Sequence, residues 1–480
     1  MMLTLTDLFC GAGGSSSGAA EVPGIAVRMA ANHWQLAVDT HQANHESTDH
    51  KCADISQVDP RLFPRTDLLW ASPSCTNHSV ARGRKRNADC QPDLFGEILP
   101  DEAAERSRAT MWDVVRFTEH HRYRGIVVEN VVDAAKWVMW PAWCQALELL
   151  GYRYRVVYLN SMHATAAGDP APQSRDRLYV VAWRAGDRAP DLDRWTRPQA
   201  WCPVCSREVT AVQGWKNPAR RWGRYRTQYL WRCPNVSCRN RIVEPAWLPA
   251  SSVIDWTLRG ERIGDRRKPL KAKTRARIQD GLTRFAADPG LLVPTGGTRR
   301  DRAYSVAEAM PTRTTTESDA LLVPVEARAG VQARSVVSPV RTITTRSETA
   351  LLVPYYSTGT ASSVTAPMST VTTRDRFAMV VPLRNHNTAK LLTEPLDTIA
   401  AAGTHHGLTT LAPAVDDCEF RMLEPAEIAR AMAFDPGYVI LGNRRERVRQ
   451  AGNAVTPPAA RDLVSALAEA LGHEVPAVAA

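Results

Sequence analysis

The sequence predicts a doubly wound α/β domain interrupted by a β-rich region. Three observations predict it. Short apolar runs alternate with helix-like stretches through residues 1–184; Thr, Val and Pro then recur regularly from 290 to 413; helix formers return after Glu419, in PAEIARAMAF and PPAARDLVSALAEALG. Strands are expected at Leu3–Phe9, Ile25–Ala31, Leu68–Ala71, Ile126–Glu129 and Tyr179–Trp183. Strands separated by helical segments suggest parallel βαβ units in one open sheet.

The chain has 480 residues, 44% hydrophobic and 23% charged, a globular composition with room for two or three domains. No run of about 18 apolar residues occurs, so no membrane span is expected. The start, MMLTLTDLFCGAGG, lacks the basic lead and apolar core of a signal peptide, which points to the cytoplasm. Ten cysteines are too few for a disulfide scaffold and are read as thiols or metal ligands. A net charge of +10 suits a polyanionic partner without singling one out. Between Arg207 and Arg284 basic residues dominate, with Trp215, Trp222, Tyr225, Tyr229 and Trp231 among them. That stretch is either a nucleic-acid face or a solvated basic surface.

Composition shifts divide the chain at 1–184, 185–290, 291–415 and 416–480. In the third segment Pro311, Pro339, Pro367 and Pro395 are spaced by 28 residues, each followed three residues later by Thr314, Thr342, Thr370 or Thr398. Apolar LLVP elements start at 291, 321 and 351, with VVP at 380 and LAP at 411. Such runs with Pro and Gly punctuation argue for repeated hairpins of short strands, not helices and not a disordered linker. In the second segment Cys202-Pro-Val-Cys205 and Cys233-Pro-Asn-Val-Ser-Cys238 form two close pairs. Four thiolates so arranged suit a closed tetrahedral zinc site in a zinc-ribbon-like insertion.

Four further motifs carry chemistry. Asp7-Leu-Phe-Cys-Gly-Ala-Gly-Gly14 follows the first strand, and glycines there let the backbone approach a ligand. Pro73-Ser-Cys75 through Ser79 follows the strand at Leu68, placing a cysteine where open α/β sheets put their active sites. Glu129 ends an apolar strand, where a carboxylate needs a partner or a job. Gln173-Ser-Arg-Asp-Arg177 sets two arginines on one face of an extended segment. Each is ambiguous alone.

Together and in this order they resemble the DNA cytosine-5 methyltransferase family. The matches are the Asp7–Gly14 loop, the Pro73-Ser-Cys75 loop, Glu129-Asn-Val, Gln173-x-Arg-x-Arg177, the helix-rich stretch Arg421 to Pro436, and Gln450-Ala-Gly-Asn-Ala-Val-Thr-Pro457. They cover about 1–184 and 395–480. The resemblance implies a Rossmann-like methyltransferase domain made from both ends of the chain, with the β-rich region as target-recognition domain. It implies S-adenosylmethionine held by Asp7, Phe9, Gly11, Gly13, Gly14, Asn32, Asp54, Asn453 and Val455. It implies Cys75 as nucleophile toward C6 of cytosine, Glu129 at N3 and the exocyclic amine, Arg175 at O2, and Arg177 orienting Glu129.

Double-stranded DNA is the implied partner. Ser79, Gln173, Thr398 and Ile399 are its expected contacts, and Arg341, Arg346 and Arg374 are expected at phosphate or guanine. The same chemistry on RNA and a catalytically silent DNA-binding relative are the alternatives. The long repeat favours duplex reading over RNA, and Cys75, Glu129, Arg175 and Arg177 argue against silence. A monomer is expected in a restriction-modification setting, with a cognate restriction endonuclease as an optional partner. Three positions depart from the family pattern: Ser74 for Pro, Thr76 for Gln, and Asn32 for the usual acid.

Overall fold

Strand order, more than strand number, defines the architecture. The computed structural model describes residues 2–73, 102–255, 257–284 and 414–476, and strand segments between 291 and 410. They form two compact units, 1–247 with 432–480, and 248–431. These limits differ from the composition shifts, because residues 185–247 pack with the N-terminal segment and the returning C-terminal piece begins at 432.

The first unit contains β1 (Leu3–Leu8), α1 (Gly14–Ala20), β2 (Ile25–Asn32), α2 (Gln35–Asn44), β3 (Asp49–Cys52), β4 (Leu68–Ala71), α3 (Glu102–His121), β5 (Gly125–Asn130), α4 (Trp140–Leu149), β6 (Tyr152–Asn160), β7 (Gln173–Ser174), β8 (Asp176–Arg184) and α5 (Leu192–Thr196). Two hairpins follow: β9 (Gln199–Cys202) with β10 (Arg207–Thr210), and β11 (Val212–Trp215) with β12 (Tyr229–Arg232). The sheet order is β3-β2-β1-β4-β5-β8-β6. Strands β1 to β5 are parallel neighbours, while β8 runs antiparallel to both β5 and β6. The expected all-parallel pattern therefore holds only for five strands. The order reverses between β1 and β4, so their carboxyl ends flank a topological switch point, the usual crevice for a ligand.

Alternate strand residues build the core. Leu3, Leu5, Leu68, Trp70, Val127, Tyr179 and Val181 form one cluster with Ala459, Ala460, Leu463, Val464 and Leu467. The last five lie on a late helix. The second unit starts with β13 (Glu261–Arg262) and α6 (Ala272–Arg284); before α7 (Pro425–Ala431) come the strands β14 (Leu291–Pro294), β15 (Asp319–Val323), β16 (Val325–Glu326), β17 (Asp375–Arg376), β18 (Ala378–Pro382), β19 (Lys390–Leu391), β20 (Leu396–Asp397), β21 (His406–Thr410) and β22 (Glu419–Met422). The chain then returns to the first unit with α8 (Arg444–Asn453) and α9 (Pro457–Ala470). After Thr456 at the N-cap position, Pro457 and Pro458 open α9, where a missing proline N–H costs nothing. Gly18 of α1 lets α9 approach closely: a Cβ there would meet the Pro457 carbonyl oxygen at 2.1 Å and the Arg461 nitrogen at 2.8 Å.

In the second unit the sheet runs β13-β22-β21-β18-β15-β14. The apolar repeat elements at 291, 321 and 380 are its strands β14, β15 and β18, paired antiparallel with Leu291 opposite Leu322 and Leu321 opposite Val380. The repeat at 351 lies outside the described residues. Within the stretch Arg421 to Pro436, α7 supplies the helix and Arg421 lies in the extended β22 segment. Its guanidinium pairs with buried Glu427 of α7 at 2.7 Å and donates to the carbonyls of Asp255 and Leu258.

Candidate active site

The loop after β1 is shaped by positive φ at Phe9 (61°), Gly11 (55°) and Gly13 (90°). A Cβ on Gly11 would meet open space, whereas one on Gly13 would strike the Tyr438 hydroxyl and one on Gly14 the Val455 carbonyl oxygen at 2.0 Å. Gly13 and Gly14 thus admit the returning C-terminal segment, and Gly11 keeps an open side. Tyr438, which sequence reasoning passed over, also donates its hydroxyl proton to the Ala12 carbonyl. Asn32 ends β2 and its Oδ1 accepts the Trp34 N–H at 3.0 Å, so toward a ribose hydroxyl it would offer an amide donor. Asp54 follows β3 and is exposed, its Oδ1 capping Ser56 N–H at 3.1 Å. Asn453 is exposed and Val455 buried.

Asp7 is fully buried below this loop. Its Oδ2 accepts the hydroxyls of Ser15 at 2.6 Å and Ser16 at 2.7 Å. Because Ser16 donates to Asp7, it accepts from His41 Nε2 at 2.9 Å, and His41 Nδ1 then accepts from His50 Nε2 at 2.8 Å. Burial pulls His41 down to about 2, so it is the neutral ring this polarity requires. Burial also pushes the Asp7 carboxyl up to about 7, outweighing the two serine donors.

At the carboxyl end of β5, Glu129 pairs with Arg177 of β8, Nε to Oε1 at 2.8 Å, both side chains about nine-tenths buried. Next to it, Asn130 donates its Nδ2 to the Pro73 carbonyl at 3.3 Å, tying this strand end to the start of the Pro73-Ser-Cys75 loop. Asn130 was not among the expected site residues; its place inside Glu-Asn-Val was the available signal. Arg175 is buried and donates to the carbonyls of Gly452 at 3.2 Å and Ala454 at 2.9 Å, joining the Gln173–Arg177 segment to the end of α8. Gln173 is buried with neither amide atom hydrogen-bonded. Cys75, Ser79, Arg341, Arg346, Arg374, Thr398 and Ile399 lie outside the described residues.

The four cysteines of the insertion converge. Their sulfurs all lie within 4.8 Å of one another, with Cys205–Cys233 at 3.8 Å and Cys202–Cys238 at 4.0 Å. A Zn–S bond of about 2.3 Å places tetrahedral sulfurs roughly 3.8 Å apart, so the spacing fits the ion. Asn235 directs its amide at the Cys205 and Cys233 sulfurs, each at 3.5 Å, as a donor to thiolates would. Of the five aromatics between the pairs, Trp215 and Trp222 are half-buried and the other three are turned inward. Tyr225, Tyr229 and Trp231 are buried, packed with Trp215 and with His163 of the main domain.

A doubly wound sheet thus carries a glycine loop at its switch point and a buried carboxylate–arginine pair beside it. Residues 3–202 match the family model of the C-5 cytosine-specific DNA methylase. The chain is 28% identical over 183 residues to the Type II methyltransferase M.NlaX of Neisseria lactamica, covering 38% of this chain and 52% of that one. Over 193 residues it is 25% identical to the Type II methyltransferase M.AgeI of Thalassovita gelatinovora, covering 38% and 40%. The chain thus spans about half the length, or less, of these curated relatives. The Entamoeba histolytica methyltransferase EhMeth superimposes over 98% of this chain and 100% of its own, but with a TM-score of 0.46 and 9% identity, too loose a likeness to carry weight. Among the described residues no helix is long and apolar enough to cross a membrane.

Proposed function

We propose that this protein transfers a methyl group from S-adenosylmethionine to C5 of a cytosine flipped out of duplex DNA. The observation that carries it is the buried Glu129–Arg177 pair, tied through Asn130 to the segment that leads into Cys75. Cytosine C5 is a poor nucleophile. In this reading the Cys75 sulfur bonds to C6, and the ring's electron density moves to C5. Glu129, held by Arg177, meets N3 and the exocyclic amine and stabilises the charge that develops. S-adenosylmethionine, when bound, supplies an electrophilic methyl. C5 takes that methyl; loss of the C5 proton and of the C6–S bond then restores the aromatic ring. A stacked base cannot reach a buried carboxylate, so the target must leave the helix.

The open side of Gly11 and the amide of Asn32, at neighbouring strand ends, suit the cofactor. Val455 and Asn453 close its methionine end in this reading. The strands carrying the 28-residue repeat serve as the target reader, with Thr398-Ile399 as its family-like element. The four cysteines hold a structural zinc ion. The test is incubation with duplex DNA carrying 5-fluorocytosine at the target, whose fluorine cannot leave as a cation. Wild type should form a denaturation-resistant adduct and Cys75→Ala none, while DNA binding survives. Full methyl transfer by Cys75→Ala would overturn the reading.

A further inference from the structure

We propose that the turn Trp222–Tyr225, carried by the four-cysteine insertion, positions both segments that present Glu129 and Arg177. This rests on the methyltransferase reading above and adds a role for the insertion within it. The turn touches both segments. Trp222 Nε1 donates to the Val132 carbonyl at 2.9 Å, three residues beyond Glu129. Arg224 pairs with Asp133, a carboxylate 4% exposed, at 2.5 Å. The backbone N–H of Tyr225 donates to Oδ1 of Asp176 at 3.0 Å, and Asp176 lies between Arg175 and Arg177 on β8. One four-residue turn therefore grips the exit of β5 and the entry of β8, the two strands whose ends the Glu129–Arg177 pair bridges.

The turn is itself held rigidly. Gly223 has φ +142°, and a Cβ there would fall 2.2 Å from Cβ of Gln228. Gln228 accepts the Arg224 N–H on its Oε1 at 2.8 Å and donates its own backbone N–H to the Arg224 carbonyl at 2.9 Å. Behind the turn, Tyr225 stands edge-on to His163 at 4.6 Å, and Trp231 donates its Nε1 proton to His163 Nδ1 at 3.0 Å. Burial holds His163 down to about 3, so Nδ1 stays an acceptor. Trp231 lies on β12, which runs straight into Cys233. A continuous path of packed groups thus leads from the cysteine cluster to the carboxylate–arginine pair. Geometry within about half an ångström decides whether such a pair meets a substrate productively.

The experiment compares wild type with the double variant Trp222→Phe/Arg224→Ala, the milder Arg224→Ala, and the conservative Arg224→Lys. Turnover on duplex DNA, affinity for S-adenosylhomocysteine and amide hydrogen exchange are measured on each. The double variant should lose kcat by about tenfold or more, with cofactor affinity within about twofold of wild type and Arg224→Lys recovering most of the loss. Exchange should quicken at 129–133 and 176–178 and stay unchanged in α1 and α9. Unchanged kcat in a folded double variant, or in Arg224→Ala should the double variant not fold, overturns the proposal. Unchanged exchange at those two segments overturns it as well. If wild type itself transfers no methyl group, the methyltransferase reading fails, and the exchange data alone decide whether the turn positions the two segments.

Discussion

Asp7→Asn tests the balance of forces under the glycine loop. Burial holds the Asp7 carboxyl at about 7, against an unperturbed 3.8. An acid whose folded value lies above its unfolded one makes the folded state the better proton binder. Stability contributed at this site is therefore greatest below about pH 4, falls as pH rises toward 7, and stays low above. Three units at about 1.4 kcal/mol each set a ceiling of roughly 4 kcal/mol. Asparagine can still accept both serine hydroxyls, but its amide replaces Oδ1, which has no partner, at a cost of about 1–3 kcal/mol. The amide cost offsets part of the variant's gain at alkaline pH and none of its pH dependence. Urea unfolding at pH 5 and pH 8 should show wild type losing about 2–3 kcal/mol more than the variant across that interval. Parallel pH profiles for the two proteins would refute the assignment of a strained, buried carboxylate.

Other perturbations have equally direct readings. Gly18→Ala should force α1 from α9 against backbone atoms that cannot rotate away, costing about 2–3 kcal/mol and lowering the melting temperature by about 4–8 °C; an unchanged melting curve would show the helices less closely seated. Glu129→Gln should slow methyl transfer by about 10²-fold with little change in cofactor affinity, as measured by single-turnover kinetics and calorimetry. Protein purified without chelator should carry about one zinc per chain, and Cys233→Ser should release it, loosen residues 195–245 and weaken DNA binding. Metal analysis that finds no zinc in the wild type would remove the ion from the account.

The sheet was legible where strands are buried on both faces. Leu68–Ala71 is a continuous apolar run and was expected with its observed limits. Two strands escaped notice for a shared reason. β3 reads Asp-His-Lys-Cys and β6 begins Tyr-Arg-Tyr-Arg; both lie at sheet edges, half wet, so apolar periodicity is weak. α8, with the sequence RRERVRQAGN, was hidden by its charge and is marked only by the Asn443–Glu446 capping box. The antiparallel direction of β8 leaves no local trace, since strand direction is set by the connection and not by composition. Site motifs were legible because short spacings constrain chemistry. The contacts that join them, Asn130 to Pro73 and Tyr225 to Asp176, span 57 and 49 positions and emerge only on folding.

The first unit draws its last helix from beyond residue 431, and that has a consequence for how the chain is made. Leu463, Val464 and Leu467 of α9 fill a core whose strand members leave the ribosome hundreds of residues earlier. At roughly 5–20 residues per second, synthesis of 248–431 alone takes on the order of 10–40 s. During that interval the sheet has an unfilled apolar face, and the glycine loop lacks Tyr438 and Val455 above it. A nascent chain at that stage exposes apolar surface and leaves the glycine loop uncovered. The core is therefore finished only once residues 432–470 have emerged, and any ribosome that stalls within the repeat region yields a chain without it.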